Sequence, residues 1–182
     1  MKKSKPWEIP ETPWRTEAAF WSWVRGQLRK GWSRHPVKHL YIKQKRYKAQ
    51  GKRGKMVWHL DCEICKECTP QANIEIDHII PSGSLTSQED LGPFAARLYI
   101  VTFDTIRAVC KDCHSIQTHA DKKGLSFFEA NVDKQVIKYM KLPAAKLKRV
   151  MKDFGYEYQT PKEANRETLR NIIMTIESGV YL

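Results

Sequence analysis

The chain has 182 residues, of which 41% are hydrophobic, and a formal net charge of +12 at pH 7. This composition excludes a chain that is disordered throughout, and the length allows one moderate domain or a compact core with appendages. No apolar run approaches the roughly 20 residues of a membrane-spanning helix, and the N-terminus lacks the apolar segment of a signal peptide. We therefore expect a cytoplasmic protein with no membrane partner, in which the five cysteines are thiols or metal ligands rather than disulfides.

The positive charge is concentrated in the N-terminal third of the chain. Residues 1–55 contain 16 Lys and Arg against three Glu, whereas the remaining residues contain 16 basic and 17 acidic side chains. Five of the six tryptophans also lie within the first 32 residues, which a merely solubilising tail would not need. A localised positive field favours a polyanion, most often nucleic acid. The sequence therefore predicts a nucleic-acid-binding extension.

The first predicted element is a helix over residues 13–30. Thr12 is suited to cap it, Pro13 fits the first helical position, and Gly31 fits the end. The apolar stripe that predicts the core-facing side consists of Phe20, Trp21, Val24 and Leu28. Trp23 and Trp32 lie off this stripe and fit either core or a base-stacking platform.

Residues 38–55 form a basic segment in which Lys and Arg alternate with tyrosines and which ends in Gly51 and Gly54. We predict that it runs into a flexible linker that follows a phosphate backbone. The side chains predicted to contact DNA in this half of the chain are Arg29, Lys30, Lys43, Lys45, Arg46, Lys52 and Arg53.

Two CxxC pairs, Cys62/Cys65 and Cys110/Cys113, dominate the middle of the chain. Two such turns supply the four thiolates that Zn²⁺ prefers in a closed structural site. Cys68 leaves an alternative open, because Cys65 and Cys68 also form a CxxC pair. We favour Cys62 and Cys65, since they follow an apolar run (Val57, Trp58 and Leu60) that predicts an anchoring strand.

Between the cysteine pairs, the run Ile74-Glu75-Ile76-Asp77-His78-Ile79-Ile80 predicts a strand with an acid and an imidazole at its centre. A buried charge is costly unless it is compensated. One interpretation is a strand end, with Asp77 bound to a backbone amide and His78 facing water. Because a four-sulfur zinc site is closed, any chemistry must use the remaining polar groups, which are Asp77, His78 and His114.

The remaining predicted elements are helical. One helix is expected from about Asp112 to Lys123, ended by Gly124. Three more are expected within residues 126–140, 143–155 and 160–178, with Thr160 and Pro161 starting the last one and Gly155 and Gly179 as stops. Lys148 and Arg149 fall on outer faces of this region, where a DNA-binding helical hairpin and an ordinary solvated face explain them equally well.

The order CxxC, Asp77-His78-Ile79-Ile80-Pro81, then Cys110/Cys113-His114 with Thr118 resembles the HNH endonuclease family, over about residues 56–124. The Trp-rich basic N-terminus makes the chain similar to the stand-alone, often homing, HNH enzymes of bacteriophages. This resemblance implies an α+β fold with a small zinc-stapled ββα-metal core, flanked by N- and C-terminal helical segments. We divide the chain accordingly into an extension (1–55), a nuclease core (56–124) and a helical C-terminal region (125–182).

The resemblance also implies the roles of the site residues. His78 is the expected general base, and Asp77 and His114 are the expected ligands of a catalytic Mg²⁺ or Mn²⁺. The implied activity is nicking or double-strand cleavage of duplex DNA, with no small-molecule substrate, and the oligomeric state stays open. The family's asparagine is replaced by Thr105, beside Asp104, and Gln117 stands where many relatives carry lysine. These departures leave as alternatives a catalytically weak or inactive zinc-stapled DNA-binding or regulatory protein and, on charge alone, an RNA-binding module.

Overall fold

The computed structural model describes residues 5–179, which form an α+β fold with seven α-helices and two small antiparallel sheets. The chain divides into two compact units, one that ends at Lys111 and one that begins at Asp112. The division at residues 55 and 124 expected from the sequence stays a prediction. Within residues 5–179, no helix is long and apolar enough to cross a membrane.

Helix α1 spans Glu17–Ser33, so the start predicted at residue 13 is wrong. Thr16 rather than Thr12 caps it, accepting a hydrogen bond of 3.2 Å from the Ala19 amide. The Thr12 hydroxyl is instead used in the preceding turn, where it donates to the Pro6 and Ile9 carbonyls. The helix also continues past Gly31, which was predicted to end it. A Cβ atom at Gly31 would collide with the Tyr99 hydroxyl, so this glycine allows a close side-chain approach.

The basic segment folds into regular structure. Helix α2 spans Pro36–Lys45, strand β1 spans Tyr47–Gln50, and strand β2 spans Met56–Asp61. Strand β3 (Cys68–Pro70) completes an antiparallel sheet of order β1-β2-β3. The flexible linker predicted for this segment is therefore wrong, since residues 51–55 are the turn of the β1–β2 hairpin. The strand expected around Trp58 is confirmed.

Strand β4 (Ile74–His78) pairs with β5 (Ile106–Cys110) in a second antiparallel sheet, with Asp77 opposite Arg107. Helix α3 (Leu91–Tyr99) lies within the long connection between these strands. Helix α4 (Lys111–Lys123) begins at the residue after β5, and Gly124 follows it with a φ of +65°. The helix expected from about Asp112 to Lys123 is confirmed.

Two clusters of buried side chains form the core of the first unit. In one cluster, residues of β2, β4 and β5 surround Tyr41 of α2: Leu60, Ile76, Ile106 and Ala108. In the other, the predicted stripe of α1 packs with Leu85 and with Phe94 and Leu98 of α3. Trp32 is partly buried and packs against both clusters, whereas Trp23 is 48% exposed.

The second unit contains helices α5 (Phe127–Met140), α6 (Ala144–Asp153) and α7 (Asn165–Glu177). Its core consists of Val132, Val136, Leu147, Met151, Leu169 and Ile173. Gly155 and Gly179 follow α6 and α7 with φ values of +81° and +71°, as predicted. The predicted start at Thr160 is wrong, because a 3₁₀ turn (Lys162–Ala164) intervenes before α7. Ile176, near the end of α7, is 49% exposed.

Asp133 joins α4, α5 and α7 within this unit. Its carboxylate accepts a hydrogen bond of 2.7 Å from His119 Nε2 and one of 3.2 Å from Arg166 Nη2. Burial acts to raise the pKa of Asp133, but the hydrogen bond from His119 and the charge of Arg166 outweigh it and lower that pKa. The folded state therefore binds a proton at Asp133 less readily than the unfolded state does. The ionised carboxylate thus stabilises the folded state above the unfolded pKa, and this stabilisation is lost as pH falls through the folded pKa.

We expect Asp133→Asn to lower the free energy of unfolding by about 1–2 kcal/mol at pH 6, since the hydrogen bonds to a charged group are replaced by neutral ones. The difference from the native chain should shrink as pH falls below the ordinary Asp pKa of about 3.9, because the native carboxylate takes up its proton there. Urea unfolding followed by circular dichroism at several pH values measures both effects. Asp153→Asn, which changes an exposed carboxylate at the end of α6, is the control. A constant difference across the pH range would contradict the prediction.

Candidate functional site

The four cysteines of the two CxxC pairs come together. The sulfur atoms of Cys62, Cys65, Cys110 and Cys113 all lie within 4.8 Å of one another. Tetrahedral zinc with Zn–S bonds of about 2.3 Å places its sulfurs roughly 3.8 Å apart. The cluster is thus of the size and chemistry that fit one Zn²⁺, with only a small contraction needed.

The first pair is held by a tight turn that follows β2 directly. The Cys62 amide donates to the Glu67 carbonyl at 3.0 Å, and the Lys66 amide donates to the Cys62 carbonyl at 2.8 Å. Lys66 has a φ of +63°, which closes the turn. The Glu63 amide donates to the Ala108 carbonyl at 2.8 Å, so the turn is bonded to β5, the strand that leads to the second pair.

The Cys62 sulfur is prepared for the thiolate form. Burial acts to raise the pKa of the Cys62 thiol, but hydrogen bonds from the backbone amides of Cys110, Cys65 and Ile64 lower it to about 7. The Cys110 amide lies 3.3 Å from this sulfur. Zinc binds the deprotonated thiol, so these amides favour the ligand form. Cys68, the alternative ligand, lies outside the cluster on β3 and is exposed.

Asp77 and His78 end strand β4 and face opposite sides of it. Asp77 Oδ2 lies 3.7 Å from Nη2 of Arg107, its cross-strand neighbour. His78 instead joins the core side, where its ring centroid lies 4.2 Å from that of Trp32. The chain bends just after this pair, at Ile79 and Ile80.

The His78 ring has a defined orientation. Its Nε2 atom lies 3.1 Å from the Leu98 carbonyl, and the residue is only 9% exposed. Because a carbonyl can only accept, Nε2 carries the proton and Nδ1 is the acceptor nitrogen of the neutral ring. Burial lowers the pKa of His78 and outweighs the opposing effects of the Leu98 carbonyl and Asp77, so the ring is neutral at pH 7.

Thr105, which stands where the resemblance to HNH endonucleases leads us to expect asparagine, has a structural role. The Thr105 hydroxyl accepts from the Thr102 amide at 2.9 Å and closes the turn before β5. The Thr105 carbonyl accepts from the Ile79 amide at 2.9 Å, which fixes the chain next to His78. Asp104 is exposed in the same turn. Thr105 therefore holds this loop through a hydroxyl and a carbonyl.

His114 lies in the first turn of α4, one residue after the last cysteine, and is partly buried. It belongs to the second unit, whereas Asp77 and His78 belong to the first. The gathering of these three side chains around one cation stays a prediction. A carboxylate donor suits Mg²⁺ or Mn²⁺, whereas an imidazole donor favours a transition metal over Mg²⁺.

Sequence reasoning missed two neighbours of the candidate residues. Arg107 lies beside Asp77, and its buried Nε atom has no hydrogen-bond partner in the part of the chain that the structure describes. A lone arginine within the apolar run Ile106–Cys110 was the available signal. The contact of Trp32 with His78 had no such signal, because it joins residues 46 positions apart.

The basic residues predicted to contact DNA are mostly on the surface. Arg46 is partly buried beneath Trp58, its guanidinium carbon lying 4.2 Å from the ring centroid. The other eight are exposed: Arg29, Lys30, Lys43, Lys45, Lys52, Arg53, Lys148 and Arg149.

Comparison of the chain with protein-family models, with curated proteins and with solved structures finds no match in any of the three.

Proposed function

We propose that this protein is an HNH-class endonuclease that hydrolyses phosphodiester bonds of duplex DNA with the help of a divalent cation. The observation that carries the proposal is the order of two strands and one helix along the chain. Strand β4 ends in Asp77 and His78, strand β5 pairs with it, and α4 follows with His114 in its first turn. The cysteine cluster joins the turn after β2 to the junction of β5 and α4.

In this proposal His78 is the general base. The Leu98 carbonyl holds the protonated Nε2, which leaves Nδ1 to accept the proton of the attacking water. The ring also packs against Trp32, with the two ring planes tilted by 40°, and this contact limits its rotation. Imidazole suits the role because its ordinary pKa of about 6.5 lies near working pH.

Asp77 and His114 are the residues that would hold the catalytic Mg²⁺ or Mn²⁺. When bound, such a cation stabilises negative charge on the phosphate and the leaving oxygen. Arg107 adds positive charge next to Asp77, which favours a phosphate nearby. The zinc at the four cysteines has a structural role only.

Duplex DNA is the proposed partner, bound by the exposed basic residues around the nuclease core. We further propose that the enzyme is phage-encoded and homing-like and that it acts in the cytoplasm of a host cell. The +12 charge supports a polyanionic substrate rather than a small molecule.

Incubation of the protein with supercoiled plasmid tests the activity. We expect relaxed or linear DNA with Mg²⁺ or Mn²⁺ and none with EDTA. Relaxed circles as the main product would indicate nicking, and linear DNA would indicate double-strand cleavage. Intact plasmid with every divalent cation, across host and phage DNA, would refute the endonuclease proposal.

One observation favours the second candidate, a zinc-stapled DNA-binding or regulatory protein without catalysis. His78 is only 9% exposed and packs on Trp32, as a purely structural histidine would. This candidate predicts salt-sensitive DNA binding that needs no divalent cation, and no cleavage. The plasmid assay therefore separates the two candidates.

A further inference from the structure

The β1–β2 hairpin extends beyond the sheet that carries it. Strand β3 pairs with β2 only from His59 onwards, where His59 faces Pro70. Three further β1–β2 pairs lie beyond this point, ending at Gln50 opposite Met56. At about 3.3 Å per residue, these pairs form a two-stranded ribbon that projects roughly 10 Å, with the turn added at its end. We call residues 48–58 the basic ribbon.

The basic ribbon is exposed over nearly its whole length. Every residue from Lys52 to Trp58 is exposed, including the large apolar side chains Met56 (57%) and Val57 (37%). The ribbon contains four basic side chains and no acidic one: Lys48, Lys52, Arg53 and Lys55. A surface with apolar side chains and uniform positive charge is suited to a polyanionic partner.

The ribbon is also ordered before any partner binds. At its base, the Tyr47 hydroxyl donates to Asp61 Oδ1 at 2.5 Å. At its tip, the Gly51 amide donates to the Lys55 carbonyl at 2.9 Å, and Gly54 takes a φ of +75°. Lys48 Nζ lies 4.4 Å from the ring centroid of Trp58, its cross-strand neighbour. Binding through such a preformed element costs little conformational entropy.

We propose that the basic ribbon enters the major groove of duplex DNA. The inference rests on the proposed function, since it assigns the element that grips the substrate. Strands about 4.8 Å apart, with their side chains, fit a groove about 12 Å wide and 8.5 Å deep, and the ribbon is long enough to reach its floor. The deep, narrow major groove of A-form RNA does not admit such an element.

The first experiment measures binding to a duplex DNA in EDTA as a function of salt, so that no cleavage is needed. The variant Lys52→Ala/Arg53→Ala should bind about tenfold more weakly or worse near 0.15 M salt, with the log–log salt slope reduced by about 2. Both residues are exposed in a turn, so thermal unfolding should be unchanged. The control is Lys122→Ala/Lys123→Ala, an exposed pair at the end of α4 with the same change in charge. An equal loss in both variants would overturn the proposal, because it would show a diffuse charge effect.

The second experiment identifies the groove. Methyl green, which occupies the major groove, should displace the native chain from DNA, whereas netropsin, which occupies the minor groove, should not. A duplex RNA of the same sequence should bind at least tenfold more weakly than the DNA. Displacement by netropsin alone, or equal affinity for the RNA duplex, would overturn the proposal.

These outcomes are separable from those of the endonuclease proposal. If the chain binds DNA through the ribbon but never cuts plasmid, the endonuclease proposal is wrong and the assignment of the ribbon is supported. If the chain cuts DNA with a divalent cation but the Lys52→Ala/Arg53→Ala variant binds DNA as well as the native chain, the endonuclease proposal is supported and the assignment of the ribbon is wrong.

Discussion

Replacement of Cys65 by Ser should release the bound zinc and destabilise the region around the cysteine cluster, whereas replacement of Cys68 should do neither. The sulfur of Cys65 lies in the cluster and that of Cys68 does not, although both residues are exposed and belong to the same CxxCxxC run. Structural zinc contributes about 10–16 kcal/mol to the folding of small zinc-binding peptides. Loss of one of four thiolates should therefore lower the free energy of unfolding by about 3 kcal/mol or more.

Zinc content after dialysis, measured by mass spectrometry, and thermal unfolding with and without a chelator give the two readouts. The native chain and Cys68→Ser should each contain about one zinc per chain, set by the four-thiolate site, and both should lose stability with the chelator. Cys65→Ser should contain little zinc and respond little to the chelator. Cys65 belongs to both CxxC pairs, so loss of zinc in Cys68→Ser as well as in Cys65→Ser would move the site to the Cys65/Cys68 pair.

The four-cysteine cluster and α4 could be predicted because their signals are local in sequence. Each CxxC pair has a spacing that its own turn imposes, and the ligand chemistry then joins pairs that lie 45 residues apart. Helix α4 begins directly after Cys110 and is followed by Gly124, which takes the left-handed backbone conformation expected at a helix end. Strand β2 was likewise indicated by its own apolar residues.

The errors arose where local signals competed. Thr12 and Thr16 are both able to cap a helix, and the choice depends on Thr12 bonding the turn that contains Pro6 and Ile9. The glycines at 51 and 54 are typical of both a linker and a hairpin turn. Pairing of β1 with β2 decides between them, and the basic composition of the segment does not reveal that pairing.

The surroundings of His78 could not be predicted for a different reason. Leu98 and Trp32 reach it from α3 and α1, 20 and 46 residues away, and neither has a sequence pattern that points to an imidazole. The sequence identified the Asp77-His78 pair, but the orientation of the ring follows from packing. The same holds for Arg107, which meets Asp77 only through the pairing of β4 with β5.

Replacement of His78 by Gln or Ala should reduce the single-turnover rate of DNA cleavage by about 100- to 10,000-fold, the usual contribution of a general base. The Gln amide can still donate to the Leu98 carbonyl but cannot accept a proton from water at neutral pH. His78→Gln should therefore fold with little loss of stability, while His78→Ala also loses its contact with Trp32 and should unfold more easily. DNA affinity, measured in EDTA, should change by less than about threefold in His78→Gln, since the side chain is not needed for phosphate binding in the ground state.

The matched control is His59→Gln, because His59 is another buried histidine (4% exposed) whose ring bonds a backbone carbonyl, that of Val57, at 3.1 Å. Cleavage is measured with protein in excess over DNA, so that a change in affinity at the nearby basic ribbon does not lower the rate. A catalytic base and a structural histidine then give different cleavage rates in the folded His78→Gln variant. If His78 is the base, His78→Gln is folded and inactive while His59→Gln cuts at nearly the native rate. If His78 only supports the core through Trp32 and Leu98, His78→Gln retains cleavage in proportion to its folded fraction, and the assignment of the base is wrong.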